Sequence, residues 1–162
     1  MVSFKSNAKN YRDAESMAAA YLAAYFANSK IKYPLNPFKM LKDEGVEFKI
    51  CNFNKLEGVY IPAQSQEDIS IVGISAKRPI TRQRFTAAHE LCHHFRDADK
   101  QVACPIGKKN ASEYFADAFA SALLMPMGEL KIKVNEYKDI NGNVSFDDIL
   151  KIADYFGVSF EA

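Results

Sequence analysis

The segment Arg82 to Arg96 constrains this chain more than any other, because it reads as a helix whose two sides make opposite demands. Measured from His89, the residues Leu91, Phe95, Ala88, Cys92 and Phe85 occupy roughly 200° to 320° of the wheel, an apolar arc that must be buried. His93 lies about 40° from His89, so both imidazoles can reach one ion from consecutive turns. Glu90 lies about 100° away, beside such an ion without having to bind it, where a carboxylate can accept a proton from an activated water. The pattern His89-Glu90-Leu91-Cys92-His93 is HExxH, and the fold has to cover one face of its helix while keeping the other available for chemistry.

Two histidines and a glutamate on a surface helix need no metal, so the pattern requires a third ligand. Glu113, on the next helical segment, completes a two-histidine, one-glutamate set of the kind that leaves a coordination position open for water. Glu113, Asp117, Ala120 and Leu124 share one face, and the small Ala116 and Ala120 allow a close approach to the HExxH helix. Asp117 is one turn beyond Glu113 and is expected to accept a hydrogen bond from the nitrogen of His89 or His93 that does not face the metal. His94, at about 140°, points away from the two ligands, which leaves it either exposed or stabilising an oxyanion. Cys92 falls on the apolar arc as a small buried side chain. Cys104 lies in the connection between the two ligand helices, where an inhibitory or extra contact with the site stands as the alternative to none, and none is the expectation.

The rest of the chain supports an α+β domain. Asp13 is placed to cap a first helix reaching about Asn28, with Met17, Tyr21, Ala24 and Tyr25 on one face. Phe38 to Asp43 reads as a short helix closed by Gly45. Val46, Phe48 and Ile50 alternate with charged residues, and Glu57 to Ile61 and Ile69 to Ile74 add two more runs, which predicts about three strands. Asp97 to Asn110 reads as an irregular connection, and Ser112 as the cap of a helix running to Leu124. Two helices, about Met127 to Tyr137 and Ser145 to Phe156, flank the turn Asn141-Gly142-Asn143.

A formal net charge of +1 provides no general field for a phosphate backbone, so direct nucleic-acid binding is not expected. Cys51, Cys92 and Cys104 form neither a disulfide framework nor a CxxC pair, which fits a reducing compartment. The uncharged stretch Met17 to Ala27 is too short for a bilayer, which needs about 20 residues, and its flank carries Asp13 and Glu15. The expectation is a cytoplasmic protein without a membrane association.

Two blocks together resemble the ImmA/IrrE family of metallopeptidases. Residues 84–93, RFTAAHELCH, are similar to that family's RFTxAHELGH, and residues 113–126, EYFADAFASALLMP, are similar to its ExxANxFAxxLLMP. The order of upstream elements extends the likeness over residues 10 to 126. The resemblance implies a zincin-like core, with a small sheet packed on the HExxH helix and a second ligand helix. It further implies Zn2+ on His89, His93 and Glu113, and Glu90 as the base. Cys92 stands where the family has glycine, and Asp117 where it has asparagine. Both replacements are compatible with the site. Ile152 to Ser159 resembles the start of a helix-turn-helix, but only three residues follow, so a packing role is expected.

The resulting expectation is a peptidase domain over residues 1–126 and a helical extension over residues 127–162 packed on it. The function expected is zinc-dependent endopeptidase, cutting a regulatory protein such as the repressors that family members cleave on mobile elements. The rival is a zinc-fold protein that grips a transcription factor without cutting it. Ile69 to Ile74 is the strand expected to pair with an extended substrate. Arg82, Arg84, His94 and Tyr114 are the residues considered for stabilising the transition state.

Overall fold

The computed structural model describes residues 4–107 and 110–162. Lys108 and Lys109, part of the expected irregular connection, lie outside the described residues. A short helix α1 (Phe4–Asn7) and a 3-10 turn (Ala8–Asn10) lead into α2 (Ala14–Tyr25), which is capped by Asp13, whose Oδ1 accepts from Ser16 N at 2.7 Å. Ala14, Met17, Ala18, Tyr21 and Leu22 form the buried face of α2. Ala24, expected there, falls just outside that arc and is exposed, because the stripe is centred on Ala18 and Tyr21. Helix α3 (Pro37–Asp43) starts on a capping Asn36 and ends at Gly45, whose φ of 75° is the left-handed conformation that favours glycine.

The sheet has four strands, not three: β1 (Val46–Cys51), β2 (Leu56–Ile61), β3 (Ser70–Ser75) and β4 (Val102–Pro105), in the order β1-β3-β2-β4. β1 and β3 run parallel, with Val46 opposite Ser70 and Ile50 opposite Ile74. β2 is antiparallel to both β3 and β4. The fourth strand arises within the connection read as irregular. Its four residues include Pro105 and lack an alternating pattern, so pairing with the free side of β2 creates the strand.

This order overturns the substrate strand expected from sequence. β3 is internal, with both edges occupied, so it cannot accept a peptide; the free edges belong to β1 and β4. Burial follows the same logic. Val72, Gly73, Ile74 and Ser75 are buried in succession in the central strand, whereas the alternation of β1 ends on an Ile50 that is 48% exposed.

Helix α4 (Ile80–Arg96) lies against β2 and β3 on one side and α5 (Ala111–Leu124) on another. Ala87, Ala88, Leu91, Cys92 and Phe95 join Ala116, Phe119, Ala120 and Leu123 in one core. Alanines on both helices allow the backbones to come close, and this brings the polar sides of α4 and α5 together. The C-terminal helices α6 (Met127–Tyr137) and α7 (Phe146–Phe156) follow. Phe156 is fully buried against Tyr33, and Arg84 of α4 donates from Nε to the carbonyl of Gly157 at 2.9 Å and from Nη2 to that of Leu35. No helix among the described residues is long and apolar enough to cross a membrane.

Candidate metal centre

His89 and His93 emerge from α4 one turn apart, and their Nε2 atoms approach to 3.1 Å. Glu113 reaches them from the first turn of α5, with Oε2 3.4 Å from His89 Nε2 and Oε1 3.2 Å from His93 Nε2. Its backbone is held by Asn110, whose Oδ1 accepts from Glu113 N at 3.0 Å. The cap is therefore Asn110 and not Ser112. The helix starts two residues earlier than expected, with Glu113 still in its first turn, where amide dipoles favour a carboxylate.

The outward nitrogens of both imidazoles face carboxylates. His89 Nδ1 lies 2.9 Å from Asp117 Oδ1, and His93 Nδ1 lies 2.8 Å from Asp97 Oδ2. Asp117 was expected to serve one histidine. Asp97, which serves the other, was not singled out, although its place one helical turn after His93 is a readable signal. Ser112, freed from capping, donates to Asp97 Oδ2 at 3.2 Å, and Lys100 Nζ lies 3.1 Å from Oδ1. Hydrogen bonding from His93, opposed by burial and helped by Lys100, holds the Asp97 carboxyl down at about 2.

These partners place the N–H of each ring on Nδ1 and leave lone pairs on both Nε2 atoms. Two nitrogen lone pairs and the Glu113 carboxylate then converge on one point, an arrangement stable only around positive charge, carried by protons or by a metal ion. For donors about 2.0–2.1 Å from a tetrahedral zinc ion, neighbouring donors stand about 3.3 Å apart; the two Nε2 atoms are close to that spacing, and Glu113 offers each of them one carboxylate oxygen at a similar distance. The electrostatics make the same demand. Burial pulls His93 down, but hydrogen bonds to Asp97 and Glu113 outweigh it and lift the ring to about 9. His89 is also raised, with burial again outweighed by bonds to Asp117 and Glu113. Burial acts to raise Glu113, but the two histidines win and hold it well below the usual carboxylate range.

Glu90 is fully buried, and neither carboxylate oxygen has a hydrogen-bond partner among the described residues. Burial, partly offset by His89 and His93, lifts it to about 7. A carboxylate poised there is suited to exchanging a proton near neutrality. Room for it exists because β2 carries Gly58 opposite: a Cβ at that position would stand 2.1 Å from Glu90 Oε1 and 2.7 Å from Thr86 Cγ2. Sequence offered no signal for Gly58, whose role comes from strand placement.

Cys104, for which an extra contact was the less favoured alternative, is 6% exposed and points into the site from β4. Its Sγ lies 3.3 Å from His89 Nε2 and 3.8 Å from Glu113 Oε1. The ligating atoms of His89, His93, Cys104 and Glu113 all fall within 4.8 Å of one another. Beside them is a cavity of about 40 Å³, walled in part by Arg82, Phe85, Thr86, Pro105 and Ile106.

His94 is neither exposed nor at the site. Its Nδ1 lies 3.1 Å from the Tyr60 hydroxyl and its Nε2 3.2 Å from Lys5 Nζ, and burial aided by Lys5 pushes it down to about 4. Arg84 is committed to the carbonyls of Leu35 and Gly157. Of the residues considered for the transition state, Arg82 alone lines the cavity, while Tyr114 is 64% exposed.

Residues 41–162 match a family model for peptidase family M78, described as the IrrE N-terminal-like domain. The match takes in α4, α5 and the C-terminal helices, so it continues past the Pro126 at which the two sequence blocks end. None of the curated proteins compared with the chain matches it.

Proposed function

Since the chain belongs to the IrrE N-terminal-like metallopeptidase family, M78, we propose that it is a zinc-dependent endopeptidase acting on a regulatory protein such as a transcriptional repressor. In this reading His89, His93 and Glu113 hold the metal and Glu90 is the general base. The observation that carries it is the convergence of two imidazole nitrogens and a carboxylate beside a buried, unpartnered glutamate. Bound there, zinc supplies Lewis acidity that polarises a peptide carbonyl and acidifies water.

The chain's own residues supply the remainder. Asp117 and Asp97 fix the two rings with Nε2 turned inward. Glu90, buried and near neutrality in its protonation, takes the proton of the attacking water and passes it to the departing amine, which restores the carboxylate. The free edge of β4, next to the cavity, is the edge along which an extended substrate pairs by main-chain hydrogen bonds. Three free thiols suit work in the reducing cytoplasm.

The test is cleavage of candidate repressor-like proteins from the same genome, by wild type and by Glu90→Gln, with metal content measured in both. The variant should bind zinc as wild type does and lose about 10²- to 10⁴-fold in rate. Equal cutting by both would remove Glu90 from the mechanism. A second reading, a zinc-fold protein that binds a transcription factor without cutting it, draws support from Cys104, because four protein donors are the mark of a closed site.

A further inference from the structure

We propose that Cys104 is a fourth ligand of the metal, its sulfur occupying the position a catalytic site keeps for water, so that the folded protein rests in a closed, latent form. The proposal builds on the reading of His89, His93 and Glu113 as ligands, and it reconciles the two functional readings. The same chain is closed with Cys104 in place and open when β4 withdraws it.

The distances fit a sulfur ligand. With zinc–sulfur about 2.3 Å and zinc–nitrogen or –oxygen about 2.0–2.1 Å, a tetrahedral sulfur stands about 3.6 Å from its neighbours. Cys104 Sγ is 3.3 Å from His89 Nε2 and 3.8 Å from Glu113 Oε1, on either side of that value. The charges balance as well. Two neutral imidazoles, a carboxylate and a thiolate neutralise a divalent ion, which lowers the cost of holding the ion among side chains that are all at least nine-tenths buried. Ligation converts the thiol to thiolate and releases one proton to solvent.

The strand that carries the sulfur is itself irregular beside the site. Cys104 pairs with Gly58, and the register slips between there and Leu56, leaving Glu57 as the extra residue of a bulge. Bulges re-aim neighbouring side chains. Glu57 is anchored by Arg78 and Arg82, so the irregularity is held in place. β4 is four residues long and paired on one side only, so its withdrawal breaks a single strand pairing. The adjoining cavity of about 40 Å³ holds a few waters at most and no peptide, as a closed form requires.

Cobalt(II) in place of zinc reads this out in the full chain. Wild type, Cys51→Ser and Cys92→Ala should show visible d–d bands together with a near-ultraviolet sulfur-to-cobalt charge-transfer band. Cys104→Ser and Cys104→Ala should keep the d–d bands and lose the charge-transfer band. Acetohydroxamate should bind both Cys104 variants about tenfold or more tightly than wild type, since a site open less than about a tenth of the time shows that penalty in apparent affinity, and in wild type it should erase the charge-transfer band. Cobalt bound by wild type without the charge-transfer band, or a band that survives in both Cys104 variants, overturns the ligand assignment and leaves the three-ligand reading standing. Equal hydroxamate affinity in all the proteins overturns latency. If wild type and variants all fail to bind cobalt, the underlying metal reading falls and this proposal with it.

Discussion

Gly58 on β2 and the Glu90 carboxylate on α4 are packed so closely that a Cβ at position 58 would stand 2.1 Å from Oε1. A glutamate that is fully buried and without a hydrogen-bond partner among the described residues keeps its place because the neighbouring strand has no side chain there. The Gly58→Ala variant should therefore displace Glu90, the proposed base, while sparing His89, His93 and Glu113. Metal stoichiometry should match wild type, cleavage should drop by about 100-fold, and overpacking should cost about 1–3 kcal/mol in urea unfolding. Wild-type cleavage rates would show that Glu90 does not need this position.

Asp117 and Asp97 each orient one imidazole, so their removal should weaken metal binding without abolishing it. Asp117→Ala and Asp97→Ala should each lose about 10- to 100-fold in zinc affinity by chelator competition. Asp117→Asn keeps an acceptor for His89 Nδ1 and should lose less than the alanine variant. If asparagine and alanine weaken binding equally, the hydrogen bond is not what Asp117 contributes.

His94 links stability to pH. Its folded value of about 4 lies below the ordinary 6.5, so between these values the unfolded chain binds more protons than the native one. Stability from this residue is complete above pH 6.5 and is lost as pH falls toward 4, by at most about 1.4 kcal/mol per pH unit. The stability of zinc-loaded wild type should fall more steeply over that window than that of His94→Gln. Parallel curves for the two proteins would rule out His94 as a group held neutral by burial.

The C-terminal helices should unfold with the rest. Phe156 is fully buried, its ring centroid 5.3 Å from that of Tyr33. Phe156→Ala should cost about 3–5 kcal/mol and lower the melting temperature by roughly 10 °C, in a single transition. A separate low-temperature transition, with the main one unchanged, would mark residues 127–162 as an independent unit.

The features legible in advance were those written locally along the chain. The HExxH helix shows itself because burial of one face and function on the other impose a 3.6-residue period on residues 80–96. Glu113 and Asp117 were found by the same periodicity, and the two blocks 84–93 and 113–126 carried the family, which the match over residues 41–162 establishes. Asp97 is readable at its i, i+4 spacing from His93, although only the folded structure separates it from any other acid at a helix end. The cap of α5 was misplaced by two residues, since Asn110 and Ser112 are both good caps and tertiary contact with Asp97 claims the serine.

By itself the sequence determined which helix carries the histidines, which faces are apolar and which family the chain resembles, because periodicity and motif spacing are properties of adjacent residues. Tertiary structure alone decided that Val102–Pro105 becomes an edge strand, that β3 is internal and that Gly58 makes room for Glu90. It also decided that Cys104 joins His89, His93 and Glu113. Strand pairing is a contact between distant segments, whose energy depends on which edge is free and not on any pattern within the strand. The HExxH helix supplies two of those four donors; the fourth comes from a strand that exists because β2 had an edge to offer.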